Sequence, residues 1–163
     1  MLYAECKPDV LLVRLLTGVP KRGAVHELKG KYELCKRLGK GTNCSAMIDE
    51  EPWGHQPAYI KNLTAKDLPE HDLRVLLDHP RSNQVVVLLP NLEQWVLKGA
   101  RVAEIDVRRY GLPDNWRELH HVIDLRQDGF DRLVADLKAT PRFKALARLL
   151  RGPAGGSRGR KAG

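Results

Sequence analysis

The chain of 163 residues is long enough for one domain with its own hydrophobic core, and its 42% hydrophobic and 29% charged residues are typical of a globular protein. No apolar run approaches the roughly 18 residues of a membrane span, and the N-terminus lacks the features of a secretory signal. The three cysteines are odd in number and lack CxxC spacing. This argues against a zinc ribbon and a disulfide framework, and predicts a reducing, cytoplasmic location.

The net charge of +8 is placed unevenly along the chain. Residues 138–163 hold eight of the 28 Lys and Arg and none of the 20 Asp and Glu, so residues 1–137 carry 20 of each sign. We therefore expect one domain at residues 1–151, whose body at residues 1–137 is neutral by count, followed by a disordered basic tail at residues 152–163. Such a tail favours polyanions such as DNA or RNA, and a solubilising end is the alternative.

The first part of the chain alternates between strand and helix patterns. Pro8 suits the first turn of a helix, where its missing N–H is not needed, and Gly18 ends that helix. A second helix is predicted at residues 31–38. The predicted strands lie at residues 2–6, 24–28 and 43–48. This alternation predicts a parallel sheet with right-handed crossovers.

The middle of the chain has one segment without clear periodicity, residues 52–72. It predicts a long loop, which is either a lid that contacts substrate or a disordered insertion. The clearest strand of the chain follows at residues 84–89, because this run is β-branched, uncharged and stopped by Pro90.

Helices dominate the last part of the chain. Asn91 and Asn115 are each predicted to cap a helix, the second running through His121. Pro141 divides two further amphipathic helices. Together the patterns predict a three-layer α/β domain with a mainly parallel sheet of about four strands, flanked by helices.

The stretch Cys44-Ser45-Ala46-Met47-Ile48-Asp49-Glu50-Glu51-Pro52 is the most informative for function. A short buried strand runs directly into three carboxylates and is stopped by proline. If the strand geometry persists, the side chains of Asp49 and Glu51 point to the same side. The pattern predicts a cation site, and an exposed acidic turn is the alternative.

A further carboxylate, Glu5, lies near the end of the first predicted strand. Adjacent strands of a sheet are about 4.8 Å apart, so carboxylates at neighbouring strand ends can converge on one hard cation. Mg²⁺ prefers oxygen ligands and is commonly held by one or two carboxylates together with substrate phosphates. Glu5, Asp49 and Glu51 are therefore predicted to form a magnesium site.

Two segments of residues 1–100 resemble the Toprim domain, the catalytic core of topoisomerases, primases and the overcoming-lysogenization-defect nucleases. The first is Tyr3-Ala4-Glu5-Cys6-Lys7-Pro8-Asp9 before a leucine-rich helix, and the second is Ile48-Asp49-Glu50-Glu51-Pro52. The resemblance implies Mg²⁺-dependent, or Mn²⁺-dependent, cleavage or transfer of a phosphodiester in nucleic acid. Glu5 would be a general acid/base or metal ligand, and Asp49 and Glu51 would hold the metal.

The sequence departs from the family pattern at two positions. Cys6 replaces a common glycine, which puts a close backbone approach to phosphate in doubt, and Glu51 replaces the more common aspartate. The segment around Glu93 is similar to one in some Toprim-like proteins, which implies an extra metal ligand. Its alternative role is to complement the dipole of a helix N-terminus.

Other interpretations of the sequence remain open. Asp9, Glu27 and Lys29 match the spaced pattern of restriction-type nucleases, although Asp9 is predicted to open a buried helix instead of ending a strand. The adjacent His120 and His121 cannot share a metal in the way that i, i+4 pairs do. A non-catalytic interaction module is a different class of function. Toprim-like nucleases also often act with an ATPase, which implies a partner subunit.

Overall fold

The computed structural model describes residues 1–19, 25–27 and 29–152, with only the backbone described for residues 25–27. The predicted tail at residues 152–163 lies outside the described residues except for Gly152. In the described part, no helix is long and apolar enough to cross a membrane.

Six strands form one sheet, and seven α-helices surround it in the described part of the chain. The strands are β1 (Leu2–Ala4), β2 (Val25–Glu27), β3 (Ser45–Asp49), β4 (Thr64–Leu68), β5 (Leu73–Asp78) and β6 (Asn83–Leu88). The helices are α1 (Lys7–Thr17), α2 (Lys31–Leu38), α3 (Ala58–Lys61), α4 (Leu92–Val102), α5 (Trp116–Val122), α6 (Gln127–Leu137) and α7 (Pro141–Leu150).

The sheet is mixed, with the order β2-β1-β3-β6-β5-β4. The four strands from β2 to β6 in that order are mutually parallel, and β5 pairs antiparallel with both β6 and β4. The α/β class is confirmed. The expected sheet of about four mainly parallel strands is too small, because a further antiparallel pair extends it.

The prediction of a loop over residues 52–72 is wrong from residue 58 onwards. The segment from there contains α3 and the edge strand β4, followed by a 3-10 turn at Pro69–His71. The sequence of β4, Thr-Ala-Lys-Asp-Leu, is mostly exposed and pairs with β5 alone among the described strands. A strand with so little burial lacks the apolar alternation by which strands are recognised.

The hydrophobic core lies on both faces of the sheet. The larger cluster combines side chains of α1, α4, α6 and α7 with one face, and includes Trp95, Phe130 and Phe143. The smaller cluster places α2 and α3 on the other face, with Leu34, Leu38 and Ile60. Burial of apolar area on each face holds the helices in place.

The predicted helix ends are confirmed where capping residues define them. The side chain of Asn91 accepts a hydrogen bond from the N–H of Gln94, and Asn115 caps α5 in the same way. Gly18 ends α1 in the left-handed conformation, with φ of 68°. The cap at Asn91 matters most for the site, because it fixes the N-terminus of α4 at the carboxyl ends of β3 and β6.

A buried asparagine joins the start of β6 to the segment between α2 and β3. The side chain of Asn83 is 2% exposed. Its oxygen accepts from the N–H of Cys44 at 2.9 Å, and its amide donates to the carbonyls of Leu38 at 2.9 Å and Gly41 at 3.0 Å. Three backbone groups therefore depend on this one side chain.

Asn83→Ala is expected to lower the free energy of unfolding by about 1–3 kcal/mol, because buried backbone groups lose their partners. Urea denaturation measures this as a lower midpoint with an unchanged m-value. Asn62→Ala is the matched control, since Asn62 is exposed and donates one hydrogen bond to the carbonyl of Ala58. Equal midpoints for the two variants would contradict the role given to Asn83.

Candidate functional site

The candidate site lies where β1, β3 and β6 end at the same edge of the sheet. In register, Ala4 pairs with Met47 and Asp49 pairs with Leu88. Glu5 directly follows β1, and Asp49 is the last residue of β3. The N–H of Asp49 donates to Oε2 of Glu5 at 3.0 Å. The structure therefore brings these two predicted residues together across adjacent parallel strands.

The carboxylate of Asp49 lies at the N-terminus of α4. Its Oδ1 accepts from the N–H of Leu92 at 2.9 Å, an interaction that favours the charged form. Burial outweighs this, and the neighbouring carboxylates, first Asp9 and then Glu93, add repulsion. Together they raise the pKa of Asp49 to about 9. The same combination of burial and carboxylate repulsion raises the pKa of Glu5.

Asp9 joins this group from the first turn of α1. It is 2% exposed, and its Oδ2 accepts from the N–H of Cys6 at 3.2 Å and from the thiol of Cys6 at 3.1 Å. Burial, with repulsion from Glu5 and Glu93, raises the pKa of Asp9 to about 7 despite those hydrogen bonds. As a site residue, the sequence predicted Asp9 only in the restriction-type pattern, although it also ends the first Toprim-like segment. Its place in the site follows from the start of α1 so soon after Glu5, with Cys6 as the N-cap.

Glu93 is buried in the first turn of α4, with 5% of its surface exposed. Its Oε1 lies 2.7 Å from Nδ1 of His120 in α5. Its charge acts on both Asp9 and Asp49, so it belongs to the same electrostatic group. The contact with His120 was not predicted, because the two residues are 27 positions apart and no short motif joins them.

Glu51 does not lie on the strand with Asp49. Strand β3 ends at Asp49, and the backbone of Glu51 turns into the left-handed region, with φ of 46°. The condition for the two side chains to share one side of a strand is therefore not met. The side chain of Glu51 is 56% exposed and its Oε2 lies 3.7 Å from Nζ of Lys31. Its charge still contributes to the raised pKa of Asp49.

Lys31 is a functional candidate that the sequence did not reveal. This first residue of α2 is 7% exposed, and its Nζ donates to the carbonyl of Glu50 at 3.2 Å and to Oε1 of Gln56 at 3.5 Å. The position of Lys31 at a helix start gave no sign of burial. It places one positive charge beside the carboxylates, where it lowers the pKa of Glu5 against the effect of burial.

Glu50 faces a different neighbour. Its Oε2 lies 3.5 Å from Arg74 of β5, which also donates to Asp67 of β4 at 2.6 Å. Two of the three acids in the motif are thus paired with cations. Among the residues that the structure describes, Glu5, Asp9 and Asp49 form no ion pair.

The restriction-type alternative can be compared only in part. The backbone of Glu27 lies beside Ala4 in the sheet, at the same edge as Glu5. Asp9 lies in the first turn of α1, where its carboxylate accepts hydrogen bonds from Cys6, and it does not end a strand. The side chain of Glu27 lies outside the described residues.

The side chains named above are hard oxygen donors, which is the chemistry that Mg²⁺ requires. In the described part of the chain, no three His, Cys, Asp or Glu side chains are already arranged as a metal-binding group. The site as built is therefore a cluster of buried carboxyl groups whose charged forms are disfavoured, and not a finished ligand set.

A cleft of about 530 Å³ opens beside these residues on the face of the sheet that carries α3. Asp49 and Glu50 line one end, and Lys61 and Arg74 supply positive charge. Its floor is apolar and includes Ile48, Ile60, Leu63, Leu76 and Val87. The volume lies within the range of about 300–1,000 Å³ that is usual for ligand sites.

Comparison with protein-family models, with curated proteins and with solved structures gave no match for this chain.

Proposed function

We propose that this protein cleaves or transfers phosphodiesters in DNA or RNA with Mg²⁺ or Mn²⁺, using a Toprim-like domain. One observation carries the proposal: Glu5, Asp9 and Asp49 lie together at the carboxyl edge of parallel strands, and two of them have pKa values raised to about 7 and about 9. Burial and mutual repulsion disfavour the charged forms of these groups. A divalent ion bound among them would favour the charged forms and displace their protons.

Asp49 and Glu5 would hold the ion, with Asp9 and Glu93 as the additional oxygen donors. Glu5 and Glu93 have the rotatable bonds needed to turn a free oxygen towards it, while the backbone hydrogen bonds of Asp49 keep the strand ends fixed. Glu51, predicted as a ligand from the motif, would bind only after leaving Lys31. When bound, the ion would stabilise negative charge on the reacting phosphoryl group.

The residues of the chain itself account for binding and orientation of the substrate. Lys31 is held beside the carboxylates, where a phosphate oxygen would meet its positive charge. The cleft next to Asp49 offers Lys61 and Arg74 to further phosphates and an apolar floor to a sugar or base. Glu5 is also the alternative general acid, because burial raises its pKa and so favours the protonated form.

The Toprim-like identity of the domain is part of this proposal. It is supported by the two motif segments, which span the ends of the adjacent parallel strands β1 and β3. The antiparallel pair formed by β4 and β5 extends the sheet beyond what the resemblance implied.

A non-catalytic interaction module is the second candidate. It is favoured by the hydrogen bonds of Glu5 and Asp49, since each carboxylate already accepts from a backbone N–H that joins two elements. In that case the acids serve to hold the strand ends together. The fold would then act through a partner, such as an ATPase subunit.

The wild-type protein is expected to cleave labelled single-stranded or double-stranded DNA or RNA in Mg²⁺ or Mn²⁺, and to lose this activity in EDTA. Product formation on denaturing gels measures it. Cleavage that persists in EDTA would contradict metal dependence. Absence of cleavage on all four substrates would favour the interaction module.

A further inference from the structure

A second large concavity lies on the opposite face of the sheet from the cleft beside Asp49. This groove of about 890 Å³ runs between α7 and the β4–β5 pair, and we call it the α7 groove. Five of its lining residues are basic: Lys66, Lys138, Lys144, Arg148 and Arg151. Among the described residues that line it, none is Asp or Glu.

The floor between these cations is apolar. Leu68 of β4 and Leu77 of β5 are half-buried, and Leu149 of α7 forms part of the wall. Helix α7 packs against α1 and against β3 and β6. The groove therefore lies over the outer end of this sheet face, on β5 and β4, beside α7.

The α7 groove corrects one expectation from the sequence. The basic excess was assigned to a tail, because residues 138–163 contain eight basic residues and no acid. Four of these eight, Lys138, Lys144, Arg148 and Arg151, line the α7 groove in the folded part of the chain. Half of the excess positive charge thus lies on one folded surface. Composition could not reveal this, because it does not say which residues lie together in the fold.

We propose that the α7 groove binds an acidic amphipathic helix of a partner protein. The apolar stripe of such a helix would cover Leu68 and Leu77, and its carboxylates would face the basic rim. This pairing satisfies both features of the groove at once. It does not depend on the function proposed for the carboxylate site, which lies at the carboxyl ends of the parallel strands.

Charge and composition disfavour the other occupants. A second copy joined by twofold symmetry would place the basic rims opposite each other. The residues at 153–163 contain Arg158, Arg160 and Lys161 and no acid, so they would be repelled by the rim. A nucleic acid would match the cations but would leave the apolar floor unfilled, and no aromatic residue for base stacking is among the described lining.

The test uses the full chain and three fluorescent probes in anisotropy titrations. The first is a synthetic peptide with Leu at helical positions i, i+3, i+4 and i+7 and Glu on its other face. The second is a scrambled peptide of identical composition without that stripe. The third is a deoxythymidine oligonucleotide. We expect the amphipathic peptide to bind with a micromolar Kd and at least about tenfold tighter than the scrambled one.

Two charge-reversed variants locate the binding. Lys144→Glu/Arg148→Glu changes exposed positions in the α7 groove, and Lys36→Glu/Arg37→Glu makes the same charge change on exposed positions of α2. The first is expected to weaken peptide binding by about tenfold or more, and the second by about twofold or less. Circular dichroism checks that both variants are folded.

Several results would overturn the proposal. Equal binding of the two peptides would show that charge alone determines binding and that the apolar stripe does not contribute. Binding of the oligonucleotide alone, lost in the Lys144→Glu/Arg148→Glu variant, would assign the α7 groove to nucleic acid. Self-association in sedimentation that this variant abolishes would assign it to a second copy, and failure of the amphipathic peptide to bind would also reject it.

Discussion

Asp49→Asn is expected to lower the metal-dependent cleavage rate by about 100-fold or more, equivalent to about 2.7 kcal/mol of barrier. Glu51→Gln is expected to lower it by about tenfold or less. The difference follows from their positions. Asp49 lies among buried carboxylates, whereas Glu51 is 56% exposed and lies 3.7 Å from Lys31.

Initial rates on the best substrate, at saturating Mg²⁺, measure both effects. Glu33→Gln is the matched control, because Glu33 is an exposed acid on α2 whose nearest cation is Lys36 of the same helix. A larger loss for Glu51→Gln than for Asp49→Asn would reverse the roles. It would show that the motif spacing predicts the ligands better than the geometry does.

Asp49→Asn is also expected to stabilise the protein in the absence of metal. The pKa of Asp49 is raised to about 9 in the folded state, against about 3.9 in an unfolded chain. The folded state therefore binds this proton more tightly, so the contribution of Asp49 to stability is largest below pH 4 and falls as the pH rises towards 9. An asparagine removes this loss and can still accept the N–H of Leu92.

The advantage of Asp49→Asn over the wild type should therefore grow with pH. Linkage allows up to about 1.36 kcal/mol per pH unit, so we expect a gain of about 2–4 kcal/mol between pH 5 and pH 8. Urea denaturation in EDTA at both pH values measures it. A constant difference between the variant and the wild type, or a wild type that gains on the variant at pH 8, would contradict the raised pKa.

The sequence correctly predicted those parts of the fold that depend on interactions between residues close together in the chain. Asn91 and Asn115 cap their helices, and Gly18 ends α1, because capping depends on a few neighbouring residues. Strand β4 was missed because its residues are exposed, and its pairing with β5 is a contact between chain segments that periodicity does not encode.

The candidate site was also predictable only in part. Glu5 and Asp49 could be placed together because adjacent parallel strands end at one edge. The turn at Glu51 could not be foreseen, since a positive φ is uncommon for glutamate and no glycine marks it. The burial of Lys31 and the contact between Glu93 and His120 depend on how helices pack, which the linear pattern does not contain.

The central claim is that the carboxylates of Glu5, Asp9 and Asp49 bind a divalent cation, and direct metal binding tests it. Electron paramagnetic resonance measures the concentration of free Mn²⁺ as the ion is titrated into the wild type and into Asp49→Asn at neutral pH. We expect the wild type to bind Mn²⁺, to release it when Mg²⁺ is added, and to lose most of its affinity in the variant. Equal binding by both proteins, or none by the wild type, would contradict the account.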